Sequence, residues 1–515
     1  MRDIKGLYTN PVYRGDFPDP SVIRVGENDF WATTTSTDWA PQFPLLHSRD
    51  LVNWTHASAV FGNRPEWSAG NFWAPELSYY RGRFYVYYVA RHRDGPLTIG
   101  VATAEKAEGP YTDHGPMIGQ AAGSIDPTAV TGEDDRRYLI WKEDGNSQGL
   151  PTTIWIQPLS EDGLRLVESA RPILSNDAAW EGGVVEAPSI MRRDGYFYLF
   201  YSGNACCGRN CKYAVGVARA ASVLGPWEKY SGNPILKGNG DWRCPGHGSV
   251  VDTAQGQTYY LYHAYAKRDS IFVGRQTLLD KVTWRDDGWP QINEGKGPSS
   301  LASAPLRKQR VHRKPAYFNP FIVHKLIGDW QWPQGHPPQV RFPRGLNRGL
   351  ILGSAATSRE GDALGGVLAR CTHYGDYTAE TAVDIAGLQP GVEAGLCAYG
   401  DAKNSVGISY LDGMVRVWQR TRGEHRLLAQ ERVGAVRTLR LRMSARRGYQ
   451  FSFSYNTSGT HWTELRRAPL RAAHLPPWDR GIRIALTVGG CVLAQARFKW
   501  LRIIANQAEQ HSRVA

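Results

Sequence analysis

The chain has 515 residues, 42% of them hydrophobic and 21% charged, so it is too long for one ordinary hydrophobic core and too apolar for a disordered protein. Its 61 basic and 48 acidic residues leave a formal charge of +13, but the basic residues are mostly scattered, which does not favour nucleic-acid binding. Stretches of about 18 uninterrupted apolar residues do not occur, and the seven cysteines are too few for a disulfide scaffold.

The first ten residues lack the apolar segment of a secretion signal. We therefore expect a cytoplasmic protein, or a secreted one if its start has been processed. We expect no membrane partner and no nucleic-acid partner, and the sequence does not indicate an oligomeric state.

Five short runs rich in aromatic and β-branched residues recur along the first half of the chain. They are NDFWATTT, GRFYVYYVA, RRYLIWK, GYFYLFYSG and QTYYLYHAY. Their leading aromatics, spaced 54 to 63 residues apart, are Phe30, Phe84, Tyr138, Tyr196 and Tyr259. A nearly constant period made of strands is typical of propeller blades, each a four-stranded antiparallel sheet. The sequence therefore predicts a five-bladed β-propeller as the catalytic domain, residues 1–310.

A short segment of common form precedes each run by 9 to 12 residues. These segments are DPSV at Asp19, APEL at Ala74, DPTAV at Asp126, APSI at Ala187 and HGSVV at His247. Because the innermost strand of each blade lines the propeller axis, we expect the five segments to meet there.

Three of the five units place a carboxylate at or next to the first position of the segment: Asp19, Asp126 and Glu186, the last one residue ahead of Ala187. A single Asp-Pro is more often a turn than a catalytic group, but three carboxylates at equivalent places in three blades favour a functional interpretation. Carboxylates that share a partly desolvated pocket repel one another, which separates their pKa values. Glycosidic cleavage uses such a set, with one protonated carboxyl and one ionised carboxylate.

At these residues the chain resembles glycoside hydrolase family 43, the family of β-xylosidases, α-L-arabinofuranosidases and arabinanases. The resemblance is carried by GDFPDPSV, NFWAPEL, GSIDPTAV, EGGVVEAPSI and PGHGSVV, in this order along the chain. It implies a five-bladed propeller and an inverting mechanism.

The resemblance also implies roles for individual residues. Asp19 matches the general base that activates water, Glu186 the general acid, and Asp126 the third carboxylate, which orients the acid and keeps its pKa high. His247 matches an axial histidine, which in some members helps to hold a calcium or other ion and is otherwise a hydrogen-bonding, substrate-binding residue; no cofactor is required. Arg275, in FVGRQ, matches the arginine that reaches the sugar hydroxyls.

Other residues beside the motifs have two interpretations each. Phe17 and Trp73 are either apolar walls of the sugar subsite or blade packing. Asp16 is more simply a turn residue, and Glu76 and Glu181 match no catalytic position.

The segments NACCGRNCKY and RCPGHG bring four cysteines and a histidine close in sequence: Cys206, Cys207, Cys211, Cys244 and His247. They allow a zinc site, local disulfides or free thiols. Adjacent cysteines make poor zinc geometry, so we favour disulfides or thiols.

The pattern changes after a basic cluster that we interpret as a linker: Arg307, Lys308, Arg310, Arg313 and Lys314. Alternating strand patterns without the 54-residue repeat then predict a β-sandwich over residues 322–505, with a disordered tail from Asn506. This half resembles the concanavalin-like sandwich of xylosidase-type family members. Its three cysteines are interpreted as small buried apolar residues: Cys371, Cys397 and Cys491.

We therefore predict an inverting hydrolase that removes terminal xylosyl or arabinofuranosyl units from oligosaccharides derived from xylan, arabinoxylan or arabinan. The sequence does not choose between a β-xylosidase and an α-L-arabinofuranosidase. Two alternatives are a non-catalytic carbohydrate-binding propeller, which would not need all three acids, and a fructan or sucrose hydrolase. The latter is expected to carry Asn-Asp-Pro, Arg-Asp-Pro and Glu-Cys, whereas this chain has PDPS, IDPT and VEAP.

Overall fold

The computed structural model describes residues 6–306, 316–323, 325–326, 328–345 and 348–506. They divide into two compact units, the first comprising 6–267 with 275–306 and the second 268–274 with the residues from 316 onward. The basic cluster predicted as a linker and the residues after Asn506 lie outside the described residues. Asn506 itself, predicted as the start of a disordered tail, is ordered, since its backbone N–H donates to the Asp376 carbonyl at 3.0 Å. Within the described ranges, no helix is long and apolar enough to cross a membrane.

The first unit is built from four-stranded antiparallel sheets, which we call blades 1 to 5, and the described residues contain one for each predicted aromatic run. Their strands are, in turn, Ser21–Gly26, Asp29–Thr33, Gln42–Ser48 and Trp54–Phe61; Ser68–Tyr80, Arg83–His92, Leu97–Ala104 and Thr112–Ile118; Ser124–Thr131, Arg137–Glu143, Thr153–Pro158 and Arg171–Ser175; Val185–Arg193, Tyr196–Gly203, Ala214–Ala220 and Glu228–Lys229; Trp242–Asp252, Thr258–Ala266, Gln276–Trp284 and Pro290–Ile292. Each aromatic run is the second strand of its blade. The prediction of an all-β propeller is confirmed.

The first strands of the blades contact one another in cyclic order, blade 5 against blade 1 included. The ring is closed by the start of the chain: strand Leu7–Thr9 pairs with strand Leu301–Ser303, and the backbone N–H of Phe17 donates to the Arg275 carbonyl at 3.1 Å. Hydrophobic clusters fill the spaces between adjacent blades. The apolar side chains are thus used between blades, and the inner ends of the first strands are left for polar groups.

The remaining short elements of this unit are a strand at Trp39–Ala40 and 3-10 turns at Gly145–Gln148, Ala179–Glu181 and Asn293–Gly295.

The second unit contains two antiparallel sheets. One has strands Gln339–Arg341, Leu350–Gly353, Gln495–Ala505, Tyr377–Asp384, Thr438–Arg446, Gln450–Asn456 and Thr463–Glu464, with Ala316–Asn319 and Leu470–Arg471 at its sides; the other has Gly366–Cys371, Arg483–Gly489, Glu393–Asp401, Asn404–Leu411, Met414–Thr421 and Glu424–Arg432. A strand at Trp332–Pro333 and a helical turn at Ser270–Val273 complete the unit. Buried residues alternate along Thr438–Arg446, as expected for a sheet with one face in a core. The predicted β-sandwich is confirmed, although its strand Ala316–Asn319 precedes residue 322, where we expected the unit to begin.

The cysteines near the propeller motifs form disulfides, Cys206–Cys207 and Cys211–Cys244. This excludes a zinc site on these thiolates and leaves the disulfide interpretation. In the second unit, Cys371 and Cys397 are buried as predicted. The prediction for Cys491 is wrong, because this residue is partly exposed.

Candidate active site

The five predicted motif positions share one unusual backbone conformation. Their φ angles are positive, at 55° for Asp19, 39° for Ala74, 56° for Asp126, 56° for Ala187 and 37° for His247. A left-handed conformation costs a non-glycine residue roughly 1–2 kcal/mol. In blades 2 to 5 the strand register shifts at the same place, and such bulges re-aim side chains. The sequence repeat therefore corresponds to a repeated kink at the inner end of each blade.

A side chain of the preceding blade holds four of these kinks in place. The backbone N–H of Ala187 donates to Asp126 Oδ2 at 2.9 Å, and that of Asp19 lies 3.2 Å from His263 Nδ1. The other two pairs are Ala74 N–H with Thr35 Oγ1 at 2.7 Å and His247 N–H with Ser202 Oγ at 2.9 Å. Each kink therefore ties its blade to the preceding one, which fixes the positions of the motif side chains relative to each other.

The three predicted acids come together from blades 1, 3 and 4. Asp19, Asp126 and Glu186 are 6%, 6% and 9% exposed, so each is largely buried but keeps some surface accessible to solvent. Asp126 interacts electrostatically with both other carboxylates, and His247 interacts with all three. The structure thus places the predicted acids and the axial histidine in one charged cluster.

Asp19 is surrounded by nitrogen atoms. Arg275 Nη1, His263 Nδ1 and His247 Nδ1 lie 2.8, 3.1 and 3.5 Å from its Oδ1. Burial opposes ionisation of this carboxyl, but the Arg275 guanidinium and the two imidazoles hold the pKa of Asp19 well below its usual range. Burial lowers the pKa of His263 to about 4, so near neutral pH His263 is uncharged, whereas the Arg275 guanidinium supplies a fixed positive charge beside Asp19.

Glu186 has a strong partner on each carboxylate oxygen. Lys142 Nζ donates to Oε2 at 2.7 Å and the Tyr213 hydroxyl donates to Oε1 at 2.7 Å. Burial favours the neutral form, yet the Lys142 ammonium and these hydrogen bonds hold the pKa of Glu186 below its usual range. We expected Asp126 to keep this pKa high. In the free protein the pKa of Glu186 is instead low, because the Lys142 ammonium, which the sequence interpretation had not included, outweighs the negative charge of Asp126.

Asp126 has the opposite tendency. Burial raises its pKa to about 6, with a contribution from the negative charge of Glu186 that exceeds that of Asp19. Since Asp126 and Glu186 repel each other when both are ionised, a proton bound near pH 6 belongs to the pair rather than to either residue. The site therefore combines a firmly ionised Asp19 with a pair that binds one proton below about pH 6. This is the asymmetry required for a base and an acid.

The predicted substrate-binding residues differ in their surroundings. Phe17 is 1% exposed and packs edge-on against Tyr13 at 4.6 Å between ring centroids, which favours the packing interpretation. Trp73 is partly exposed and lies beside the cluster between blades 2 and 3. Arg275 is buried against Asp19, so its predicted contact with sugar hydroxyls stays a prediction. Asp16, predicted as a turn residue, accepts the backbone N–H of Arg275 at 3.1 Å.

Two further acidic residues near the motifs have separate partners. Glu76 accepts hydrogen bonds from Ser21 at 2.6 Å and Thr128 at 3.0 Å, which joins the first three blades. Burial raises its pKa to about 7. Glu181 is fully buried and pairs with Lys229 of the outermost strand of blade 4 at 2.7 Å. It therefore serves the packing of blade 4.

The donor set around His247 does not fit a calcium ion. Calcium takes six to eight oxygen ligands, whereas Asp19, the carboxylate nearest to His247, is already paired with the Arg275 guanidinium. Across the described residues, no group of three or more His, Cys, Asp or Glu side chains is arranged so that it could hold a metal ion. We therefore derive no step through a metal.

Three residues of the site were missed in the sequence: Lys142, Tyr213 and His263. Lys142 and His263 lie inside the aromatic runs RRYLIWK and QTYYLYHAY. A charged or polar residue within an otherwise apolar strand run was a usable signal, because such a residue is buried only with a partner. Tyr213 had no comparable signal. Its place depends on Gly246, where a Cβ would lie 2.2 Å from the Tyr213 ring.

Comparisons with known proteins agree with this geometry. The profile of glycosyl hydrolases family 43 matches residues 8–290, and that of the beta xylosidase C-terminal concanavalin A-like domain matches residues 325–475. Xylosidase/arabinosidase 43B of Humicola insolens is 30% identical over 416 residues, which are 76% of this chain and 74% of that protein. Xylan 1,3-beta-xylosidase of a Vibrio species is 31% identical over 330 residues, 58% of this chain and 59% of that protein.

Among solved structures, the GH43 protein BlXynB from Bacillus licheniformis has a TM-score of 0.83 and 25% identity, covering 97% of this chain and 100% of that one. The family profile spans more than half of the chain and includes all five motifs. The resemblance inferred from the motifs is confirmed, in preference to the fructan hydrolase and the non-catalytic propeller. The chain therefore belongs to glycosyl hydrolases family 43 and is a glycoside hydrolase acting on a carbohydrate substrate.

Proposed function

We propose that the protein removes terminal non-reducing xylosyl or arabinofuranosyl units from oligosaccharides derived from xylan, arabinoxylan or arabinan, with inversion at the anomeric carbon. The choice of sugars is supported by the relatives, one named a xylosidase/arabinosidase and one a xylosidase. The observation that carries the mechanism is the contrast in surroundings: Asp19 is paired with the Arg275 guanidinium at 2.8 Å, whereas Asp126 and Glu186 are neighbouring carboxylates that interact with each other.

In this mechanism Asp19 is the general base. As an ionised carboxylate it takes a proton from a water molecule, whose oxygen attacks the anomeric carbon. Arg275 keeps Asp19 ionised. Glu186, carrying the proton of the pair, protonates the departing glycosidic oxygen from the other side of the sugar. The bond to the leaving group breaks as the bond to water forms, through an oxocarbenium-like transition state.

Asp126 has two roles in the proposal. Its carboxylate fixes the kink next to Glu186 through the Ala187 N–H, and its negative charge raises the proton affinity of the pair. Inverting enzymes separate base and acid by roughly 6.5–9.5 Å to fit the water. We expect that separation between Asp19 and Glu186 in a complex with substrate.

A panel of nitrophenyl glycosides tests the function. We expect release from the β-xyloside, the α-L-arabinofuranoside or both, and NMR of the first product should show inverted anomeric configuration. Asp19→Ala and Glu186→Ala should each lower kcat by several orders of magnitude, whereas Glu161→Ala, at a side chain 84% exposed, should not. Retention of configuration, or near-normal turnover in both acid variants, would contradict the mechanism.

A further inference from the structure

Lys142 is a buried cation shared by two carboxylates. Its side chain is 1% exposed, and its Nζ lies 2.7 Å from Glu186 Oε2 and 3.0 Å from Asp144 Oδ1. Lys142 lies near the end of the second strand of blade 3 and Asp144 directly follows that strand, whereas Glu186 lies at the start of blade 4. The ammonium group of Lys142 therefore connects blade 3 with the proposed acid of blade 4.

This link has two opposing effects on an acid. A fixed positive charge favours the carboxylate form of Glu186, so it reduces the fraction that carries a proton. The same charge stabilises the carboxylate that appears when the proton passes to the leaving oxygen, as preorganised groups do in other active sites. The charge of Lys142 therefore lowers the fraction of Glu186 that is protonated, but makes the protonated form a stronger acid.

Asp144 competes with Glu186 for the same ammonium. Burial would favour neutral Lys142, but the two carboxylates together raise the pKa of Lys142, so it stays charged over the working pH range. The ammonium has a donor for each carboxylate, but the negative charge of Asp144 offsets part of its positive charge at Glu186, so neutralising Asp144 increases the net positive charge that Glu186 experiences. The effect of Lys142 on Glu186 can therefore be changed by a substitution at Asp144, without any change at Glu186.

We propose that Lys142 is a positioning residue whose ammonium, divided between Glu186 and Asp144, sets the pH range in which Glu186 acts as the acid. The proposal depends on the proposed function, because it takes Glu186 to be the proton donor. The titratable and charged groups that interact with Glu186 or with Lys142 lie in blades 3, 4 and 5. They are Asp126, Lys142, Asp144, Tyr213 and His247.

Two substitutions should move the alkaline limb of the kcat/KM profile in opposite directions. Lys142→Met removes the charge that favours ionised Glu186, so the limb should move to higher pH by a unit or more. Asp144→Asn removes the competing carboxylate, so the limb should move to lower pH. Lys142→Arg keeps a cation, so its alkaline limb should lie close to that of the unmodified protein. Shifts in the same direction, or none in either variant, would overturn the proposal.

A comparison of leaving groups separates this role from a structural one. At its own optimum, Lys142→Met should lose about 10- to 100-fold in kcat/KM on a disaccharide. On the dinitrophenyl glycoside of the same sugar, which departs with little protonation, it should lose only a few-fold. Equal losses on both substrates would mean that Lys142 only supports the fold. Thermal unfolding shows whether Lys142→Met is folded, and Asp144→Asn and Lys142→Arg keep the test valid if it is not.

The same two substrates distinguish a failure of the proposal for Lys142 from a failure of the proposed function. Glu186→Ala should lose far more activity on the disaccharide than on the dinitrophenyl glycoside. If it loses equally on both, Glu186 is not the acid and the proposed function fails. If Glu186→Ala behaves as expected while the limb does not move in Lys142→Met and Asp144→Asn, only the role of Lys142 fails.

Discussion

Arg275 Nη1 lies 2.8 Å from Asp19 Oδ1, and both side chains are more than nine-tenths buried. The two residues belong to the last and the first blade, so this ion pair spans the point where the ring of blades closes. Because the charges are desolvated, removing one partner leaves the other without compensation, which costs far more than the loss of a surface pair. The pair therefore contributes to ring closure as well as to the ionisation of the proposed base.

Replacing Arg275 by Met should raise the pKa of Asp19, because burial then acts without a compensating guanidinium. We expect kcat/KM to fall by two orders of magnitude or more at pH 5, and an acid limb to appear that the unmodified protein lacks above about pH 4. The pH profile of kcat/KM measures this. Arg275→Lys, which keeps a positive charge, should show a smaller shift, and an unchanged acid limb in Arg275→Met would contradict the prediction.

The unmodified protein should lose kcat/KM as the pH rises above about 6, where the Asp126–Glu186 pair gives up its proton. Asp126→Asn removes the negative charge that helps Glu186 to hold that proton, so the same limb should move to lower pH. Both profiles can be measured with one nitrophenyl glycoside. A limb that moves to higher pH in Asp126→Asn would show that Asp126 does not support protonation of Glu186.

The Cys211–Cys244 disulfide anchors the loop that leads into Tyr213. The bond joins residues 33 positions apart, and closing a loop of this length stabilises a protein by about 3–4 kcal/mol. The double variant Cys211→Ser/Cys244→Ser should lose about that much free energy of unfolding, and kcat should fall because Tyr213 is held less firmly against Glu186. Chemical denaturation and steady-state kinetics measure the two effects.

The other disulfide provides a matched control. Cys206 and Cys207 are adjacent in sequence, so their bond closes almost no loop. Cys206→Ser/Cys207→Ser should leave the free energy of unfolding nearly unchanged. Equal destabilisation of the two double variants would show that loop closure is not the source of the effect.

Glu76→Gln should change how stability depends on pH. The folded protein raises the pKa of Glu76 from 4.5 to about 7, so the neutral carboxyl stabilises the fold fully below about pH 4.5. That contribution is lost as the pH rises through 7. Gln cannot ionise, so the variant should gain up to about 3 kcal/mol relative to the unmodified protein between pH 4.5 and 8.

Urea denaturation at pH 5 and pH 8 measures this difference. Thr128→Val, which removes one hydrogen-bond donor to Glu76 but leaves the carboxyl titratable, serves as the comparison. A constant stability difference between Glu76→Gln and the unmodified protein at the two pH values would mean that Glu76 is already ionised at pH 5.

The propeller was predictable because each blade repeats the same run of aromatic and β-branched residues, and Phe30, Phe84 and Tyr138 mark equivalent strands. The three acids were predictable for the same reason, since a repeat aligns residues that the fold then brings together. The strands of the second unit followed from alternation alone. Its start was misjudged because strand Ala316–Asn319 is short and follows a basic stretch that obscures the pattern.

The protonation states were not predictable from motifs. They depend on Lys142, which reaches Glu186 from the neighbouring blade, and on Tyr213, which reaches it from a loop. Neither contact has a fixed spacing in sequence. Motifs therefore identified the carboxylates, whereas the packing of adjacent blades decides which of them holds a proton.

The kinks at the inner ends of the blades give the five motif positions the same left-handed backbone conformation. The blades therefore differ at the axis in their side chains. The acids stand at the kink itself in blades 1 and 3 and one residue before it in blade 4, whereas the kinks of blades 2 and 5 carry Ala74 and His247. Each blade therefore contributes to the site through the identity of one or two side chains rather than through a backbone shape of its own.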